Sequence, residues 1–187
     1  MRKIIVSNVV TLDGFFEGTN RELDWFVTGK EFFEYAGNLL KEVDAILFGR
    51  ITFEQMAAYW PNTTDDDPLI TEKMNSLQKI VISKSLENIN SFAVKWNNST
   101  FIHNDLEEEI HKLKQQLGKD IVIFGSGMLV SSLTNAGLID KYNIIVTPVI
   151  LGKGNPLFKG LNKKLNLKLI NTKTLGSGVV ILSYKPG

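Results

Sequence analysis

The stretch of this sequence best equipped for chemistry is Ile121-Val122-Ile123-Phe124-Gly125-Ser126-Gly127, an apolar run that closes on two glycines and leads into a helical pattern from Met128. A strand buried on both faces of a parallel sheet reads as a short continuous apolar run, so this segment is a buried strand entering a tight turn. Glycines at such a turn let backbone amides come close to a ligand, and the following helix adds the positive end of its dipole. The chemistry on offer is phosphate binding, with a plain strand-to-helix connection as the alternative. The order strand, glycine, helix start recurs at Ala45 to Phe48, Gly49-Arg50 and Thr52. Other chemistries are poorly supplied. The chain has no cysteine, which excludes a thiol nucleophile, a disulfide and cysteine metal ligands. Its two histidines, His103 and His111, have no companion ligands and read as structural or exposed, so no metal site is expected.

The elements that must position these turns follow from periodicity. Lys3 to Val10 is β-rich and ends in Thr11-Leu12-Asp13-Gly14, whose Asp-Gly pair marks a turn. Beyond a polar loop from Glu17 to Arg21, Thr28 and Glu31 have the spacing of a capping box. Phe32, Ala36, Leu39 and Val43 then fall on one helical face, with Phe33 and Leu40 beside it. After the strand Ala45 to Phe48, Thr52 and Gln55 repeat the capping-box spacing and open a short helix through Tyr59. Asp67-Pro68 reads as N-cap and first residue of a helix to about Asn75, and Lys79 to Ser83 and Thr100 to His103 read as strands. Asp105 caps a helix over Leu106 to Leu117, in which Glu108 and Lys112 can pair and after which Gly118 takes the C-cap position. The helix from Met128 runs to about Asn135 and stops at Gly137; Tyr142 to Val149, Leu165 to Thr172 and Val179 to Tyr184 are then strands with no helix between them. Strands alternating with helices, followed by a strand-only tail, predict an α/β sheet that is mostly parallel and finishes with antiparallel additions.

Composition narrows the class. The 187 residues, 43% of them hydrophobic, suit one domain with a sizeable core, and no stretch reads as an interdomain linker, so a single domain over residues 1–187 is expected. A net charge of +1 gives no drive toward nucleic acid, and the like-charged triplets Asp65 to Asp67 and Glu107 to Glu109 read as solvated surface. No apolar run approaches membrane-spanning length, and the N-terminus lacks the apolar core and cleavage site of a signal peptide. The expectation is a cytoplasmic protein without a nucleic-acid or membrane partner.

Four motifs in order carry a resemblance: Val-Thr-Leu-Asp-Gly at 10–14, Asp-Ala-Ile-Leu-Phe-Gly-Arg-Ile-Thr-Phe-Glu at 44–54, Ile-Phe-Gly-Ser-Gly at 123–127, and Gly-Leu-Ile-Asp-Lys-Tyr with Pro-Val-Ile-Leu-Gly-Lys-Gly-Asn-Pro-Leu-Phe within 137–158. Together they resemble the dihydrofolate reductase-like superfamily, and within it the C-terminal reductase domain of the bifunctional riboflavin-biosynthesis deaminase-reductase. The resemblance spans residues 3 to about 184. It implies a three-layer α/β/α fold with a mostly parallel mixed sheet and antiparallel C-terminal strands, and an NADPH-dependent reductase acting on a small molecule. It also implies a possible homodimer, for which the tail strand around Val179 to Leu182 is a candidate interface.

The implied cofactor contacts carry over position by position. Gly49, Arg50 and Thr52 match the family's Gly-Arg-x-Thr, where a guanidinium and a helix start meet the cofactor's phosphates. Ser83 and Lys84 fall where the family surrounds the adenosine 2'-phosphate, and Gly125, Ser126 and Gly127, flanked by Phe124 and Met128, fall on its pyrophosphate turn. All three sites end predicted strands, where open α/β sheets bind ligands, and the two cations favour NADPH over NADH. Arg50 and Lys84 taken singly also read as solvated surface residues.

The substrate side is thinner. Hydride transfer belongs to the cofactor, so the protein must hold the acceptor and supply or relay a proton. Folate-reducing relatives place a carboxylate on the first helix, whereas the face Phe32, Ala36, Leu39 and Val43 carries none and Glu31 and Glu34 lie off it. Asp13 and Asp24 are the nearest candidate catalytic groups, and Trp25 and Trp60 the candidate walls of a pocket for a flat ring, with a turn role for Asp13 and core roles for the tryptophans as alternatives. Basic residues for a ribose-phosphate substrate are not identifiable, and no zinc signature of the deaminase half is found within these residues. The resulting reading is a reductase of a small heterocyclic, pterin- or pyrimidine-like, or carbonyl substrate; the rival is a non-catalytic nucleotide- or flavin-binding module on the same fold.

Overall fold

A computed structural model describes residues 1–64, 67–83, 96–103 and 105–187. Strand β1 (Ile4–Val10) is followed by the three-residue β2 (Phe15–Glu17), helix α1 (Lys30–Glu42), β3 (Val43–Gly49), α2 (Arg50–Tyr59), α3 (Pro68–Ser76), β4 (Gln78–Ile82), β5 (Ser99–Ile102) and α4 (Leu106–Gln115). Then come β6 (Asp120–Ile123), α5 (Gly127–Asn135), β7 (Lys141–Val146), β8 (Asn155–Pro156), β9 (Leu167–Thr174) and β10 (Val180–Pro186). The main sheet has the order β5-β4-β3-β6-β1-β7-β10-β9, and β2 pairs with β8 in a small separate ribbon. Six adjacent strands, β5 through β7, are parallel, and β10 runs antiparallel to both β7 and β9.

Both faces of the sheet are covered, which makes three layers. On one face Ile110 and Leu113 of α4 and Leu129, Val130 and Leu133 of α5 pack on Ile4, Val6, Ala45, Leu47, Ile121 and Ile123. On the other, Leu40 of α1, Phe53 and Ala57 of α2, and Ile70 and Met74 of α3 pack on Ile46, Phe48, Val81 and Val122. Alternate strand residues thus go to opposite cores, which is why Ile121 to Ile123 had to be apolar throughout. A third cluster, Val9, Trp25, Ile145, Leu175, Val179 and Ile181, lies under the start of α1.

The strand tail differs from its expected use. Val179 is fully buried and Ile181 is 3% exposed, because β10 lies inside the sheet; the open edge is β9, where every residue is exposed. Val179 and Ile181 of the candidate interface are therefore core residues, whereas Val180 and Leu182 are half-buried.

Local caps separate the expectations further. Asp67 accepts hydrogen bonds from the Leu69 and Ile70 amides at 3.0 and 3.1 Å, and Asp105 from those of Glu107 and Glu108 at 2.9 and 3.0 Å. Lys112 pairs with Glu108 at 2.7 Å as the i,i+4 spacing required. The two capping boxes do not form. Helix α1 has Gly29 at its N-cap and no side-chain cap, and Glu31 instead accepts from the Gly176 amide at 2.6 Å, tying α1 to the β9–β10 turn. Helix α2 follows β3 without a loop, so its N-cap is Gly49 and Thr52 sits inside the first turn. Val43, expected on the helical face, opens β3 and is buried in the same core cluster as Leu40.

The strands' N-terminal ends are closed by ion pairs. Lys114, 7% exposed, meets Asp140 at 2.7 Å, and Asp140 also accepts from the Ile4 amide at 2.8 Å. Arg2 pairs with Asp44 and donates from Nε to the Lys119 carbonyl at 2.6 Å. The C-terminal ends are left for the site. Among the described residues no helix is long and apolar enough to cross a membrane.

Candidate functional site

Strands β3 and β6 are parallel neighbours with Leu47 opposite Ile123, so the turns that follow them meet. The Gly49 amide donates to the Gly125 carbonyl at 3.4 Å. A Cβ at Gly49 would collide with Ser126 Oγ; one at Gly125, whose φ is +131, would come within 3.0 Å of Thr52 Oγ1 and of the Phe16 ring. Gly127 is small for another reason, since a Cβ there would press on the Leu157 carbonyl oxygen at 3.1 Å. The peptide between Gly125 and Ser126 is cis.

Two helix N-termini converge on this spot. Helix α2 starts at Arg50 with no side-chain cap on its amides, α5 is capped by Ser126 through a long 3.5 Å contact to the Leu129 amide, and neither has an acid in its first turn. Unsatisfied amides aligned with two helix dipoles favour an anion. Thr52 is buried beside Gly125, while Arg50 is 41% exposed and pairs with Glu54 at 3.0 Å. Ser83 is buried just past β4, its amide donating to the Ile102 carbonyl at 3.0 Å; Lys84 lies outside the described residues. Met128 is 78% exposed in the first turn of α5.

Beside these turns is a cavity of about 260 Å³ between α1, α2 and the sheet. Phe32, Phe33, Met56, Trp60 and Phe124 contribute apolar surface, and Ser7 and Tyr35 bring polar groups. Glu17 is the one charged residue among the described lining; it accepts from Asn155 Nδ2 at 2.9 Å across the β2–β8 ribbon. Thr52 and Phe124 belong both to the lining and to the strand-end turns, so cavity and anion site are contiguous.

The expected catalytic carboxylates are elsewhere. Asp13 accepts from Thr11 Oγ1 at 2.6 Å and from the Gly152 and Leu151 amides at 2.8 and 3.1 Å, binding the first turn to the loop after β7. The Thr11 hydroxyl above all holds its carboxyl down at about 2; desolvation pushes the other way, and the Gly152 and Leu151 amides add smaller downward pulls. Neither Asp13 nor the exposed Asp24 lines the cavity. Of the two tryptophans Trp60 lines it, whereas Trp25 is buried behind it, edge-on to Phe26 at 4.7 Å with its Nε1 donating to the Glu22 carbonyl.

Ser7, Glu17 and Tyr35 were not picked out from the sequence. Ser7 and Asn8 are the polar interruption of the apolar run Ile4 to Val10, a signal for groups that need partners inside a core. Tyr35 stands between Phe32 and Leu39 at helical spacing, indistinguishable in sequence from a packing aromatic.

Residues 2–181 match the family described as the RibD C-terminal domain. The chain belongs to that family. This RibD C-terminal domain is 38% identical over 188 residues to the uncharacterized protein YyaP of Bacillus subtilis (strain 168), covering 98% of this chain and 94% of that one. Among solved structures it is similar to a Shewanella sp. PV-4 protein whose name places it provisionally in riboflavin biosynthesis, with a TM-score of 0.76, 21% identity and 99% of both chains covered. It is also similar to the dihydrofolate reductase of Enterococcus faecalis, solved with NADP(H), with a TM-score of 0.62, 13% identity, and 99% of this chain and 96% of that one covered. These structural likenesses establish the fold. The RibD C-terminal domain has the dihydrofolate reductase-like architecture, and the expected three layers with a mostly parallel sheet and antiparallel strands at its C-terminal end are present.

Proposed function

We propose that this RibD C-terminal domain is an NADPH-dependent reductase of a small heterocyclic or carbonyl compound. The observation that carries the reading is the contiguity of the two sites: Thr52 and Phe124 border both the paired helix N-termini and the apolar cavity. A dinucleotide needs the first and a flat acceptor the second. Reduced nicotinamide supplies a hydride when bound. The amides that open α2 and α5 would hold phosphate oxygens, and Arg50 would add planar donors. Its exposed pair with Glu54 is a weak contact that phosphate can displace. The aromatic and Met side chains of the cavity exclude water from the reacting atoms.

Stopped-flow and steady-state NADPH oxidation against pterins, flavin precursors and quinones, run beside an NADPH titration, tests the reading. Arg50→Ala is expected to weaken NADPH more than NADH, on the reading that its guanidinium reaches the 2'-phosphate that only NADPH carries; equal losses place Arg50 on the pyrophosphate common to both and the 2'-phosphate contact on another residue. A second reading is a nucleotide- or flavin-binding module without turnover, favoured by the lack of a carboxylate from α1 among the described lining residues. NADPH binding with no oxidation of any panel member supports that module, and no binding at all overturns both.

A further inference from the structure

The polar groups at and behind the cavity wall point to what the acceptor looks like. Ser7, Asn143 and Ser183 are register partners across β1, β7 and β10, so they form one row on one face of the sheet, and all three are buried. Ser183 Oγ donates to Asn143 Oδ1 at 2.8 Å, which orients the Asn143 amide. The Tyr35 side chain comes down from α1 to the end of this row. Its hydroxyl is buried with no hydrogen-bond partner; burial pushes its pKa up, and Ser7 and Asn143 are near enough to pull the other way without reaching bonding geometry. A buried hydroxyl without a partner is uncommon and destabilising, and here the hydroxyl belongs to a residue that lines the cavity.

Burial keeps the phenol neutral, so it is a hydrogen-bond donor rather than a charge. The remaining described lining is dominated by aromatic and aliphatic side chains, includes no Lys or Arg, and has Glu17 as its single charge. Among the described lining residues a phosphate or carboxylate on the ligand would find no counter-charge and would face Glu17.

Resting on the reductase reading, we propose that Tyr35 is the polar anchor of the acceptor and donates its hydroxyl to a ring carbonyl or ring nitrogen of a flat, uncharged, phosphate-free heterocycle or quinone. A phosphoribosyl substrate of the kind implied by the riboflavin enzyme does not suit this pocket. The aromatic walls stack on the ring, the hydroxyl fixes its rotation, and Ser7 stands next to the anchor as a further polar contact.

The test uses lumazine, menadione and riboflavin as neutral probes and flavin mononucleotide as the phosphate-bearing match to riboflavin. Binding to the full chain is followed by fluorescence, and NADPH affinity is measured in parallel. At least one neutral probe is expected to bind, and flavin mononucleotide to bind more weakly than riboflavin. Tyr35→Phe is expected to weaken the bound probe about tenfold while leaving the NADPH Kd unchanged. The same variant, freed of an unpartnered buried hydroxyl, is expected to raise the Tm of the ligand-free protein, an effect opposite to that of losing a structural hydrogen bond. Equal probe affinity in Tyr35→Phe and wild type, flavin mononucleotide binding at least as tightly as riboflavin, or failure of all three neutral probes each overturns the proposal. Probe binding that depends on Tyr35 without NADPH oxidation sustains the anchor and rejects the reductase.

Discussion

Gly49→Ala tests whether the two strand-end turns act as one site. The added methyl would collide with Ser126 Oγ, with Ser126 Cβ at 3.2 Å and its amide nitrogen at 3.5 Å. The hydroxyl can rotate away, but only by giving up its contact to the Leu129 amide, already long at 3.5 Å, so the lost cap costs about 0.5 kcal/mol, the low end for an N-cap. The methyl-to-Cβ crowding that remains asks a few tenths of an ångström of the β6–α5 turn, costing roughly 1 kcal/mol. The sum is about 1.5 kcal/mol of stability, read as a lower urea midpoint at unchanged slope. Because the moved turn carries the α5 amides, NADPH affinity is expected to fall about tenfold in the same variant. Ser126→Ala by itself loses only the weak cap. In the double variant Gly49→Ala/Ser126→Ala the hydroxyl clash is gone, and its stability is expected to lie closer to that of Ser126→Ala than additivity allows. Strict additivity of the two substitutions, or a Gly49→Ala protein with wild-type stability and NADPH affinity, refutes the argument.

Other consequences concern the scaffold. Asp140→Ala leaves Lys114 buried without its carboxylate and frees the Ile4 amide, and is expected to destabilise by about 3 kcal/mol in urea unfolding. Lys79 is fully buried, donates to the Asn75 carbonyl at 2.6 Å and lies 4.6 Å from the Trp96 ring centre, and desolvation pushes its pKa from 10.5 down to about 8. Between those values the unfolded chain holds the proton more tightly, so stability rises with pH from about 8 to 10.5; Lys79→Met is expected to flatten that rise, as denaturation midpoints across the range will show. Asp13 has its carboxyl lowered from 3.8 to about 2, so its contribution is complete above the first value and is lost as pH falls toward the second. Wild type is accordingly expected to lose more stability than Asp13→Asn on going from pH 5 to pH 3, with proteolysis at the loop around Gly152 reporting where the structure opens.

The sequence by itself determined most elements and several of their ends, though not the short β2–β8 ribbon, whose strands pair across more than 130 residues of sequence. Apolar runs such as Ile121 to Ile123 marked buried strands because both faces of a parallel sheet are covered, and Asp67 and Asp105 marked helix starts because their carboxylates reach amides only two or three residues away. The glycine turns at Gly49 and Gly125 to Gly127 were legible for the same local reason. What only the tertiary structure decided are the contacts between distant positions. Glu31 had the spacing of a capping box, yet its partner is the amide of Gly176, 145 residues on; Asp13 read as a catalytic candidate, yet it is held by Thr11 and by the amide of Gly152, 139 residues on. Tyr35 matched the helix's packing face, and only the meeting of α1 with the Ser7, Asn143 and Ser183 row turned its hydroxyl toward a cavity. Periodicity encodes which face of an element is buried. It does not encode which polar group waits on the other side, because that is fixed by the order in which the strands assemble.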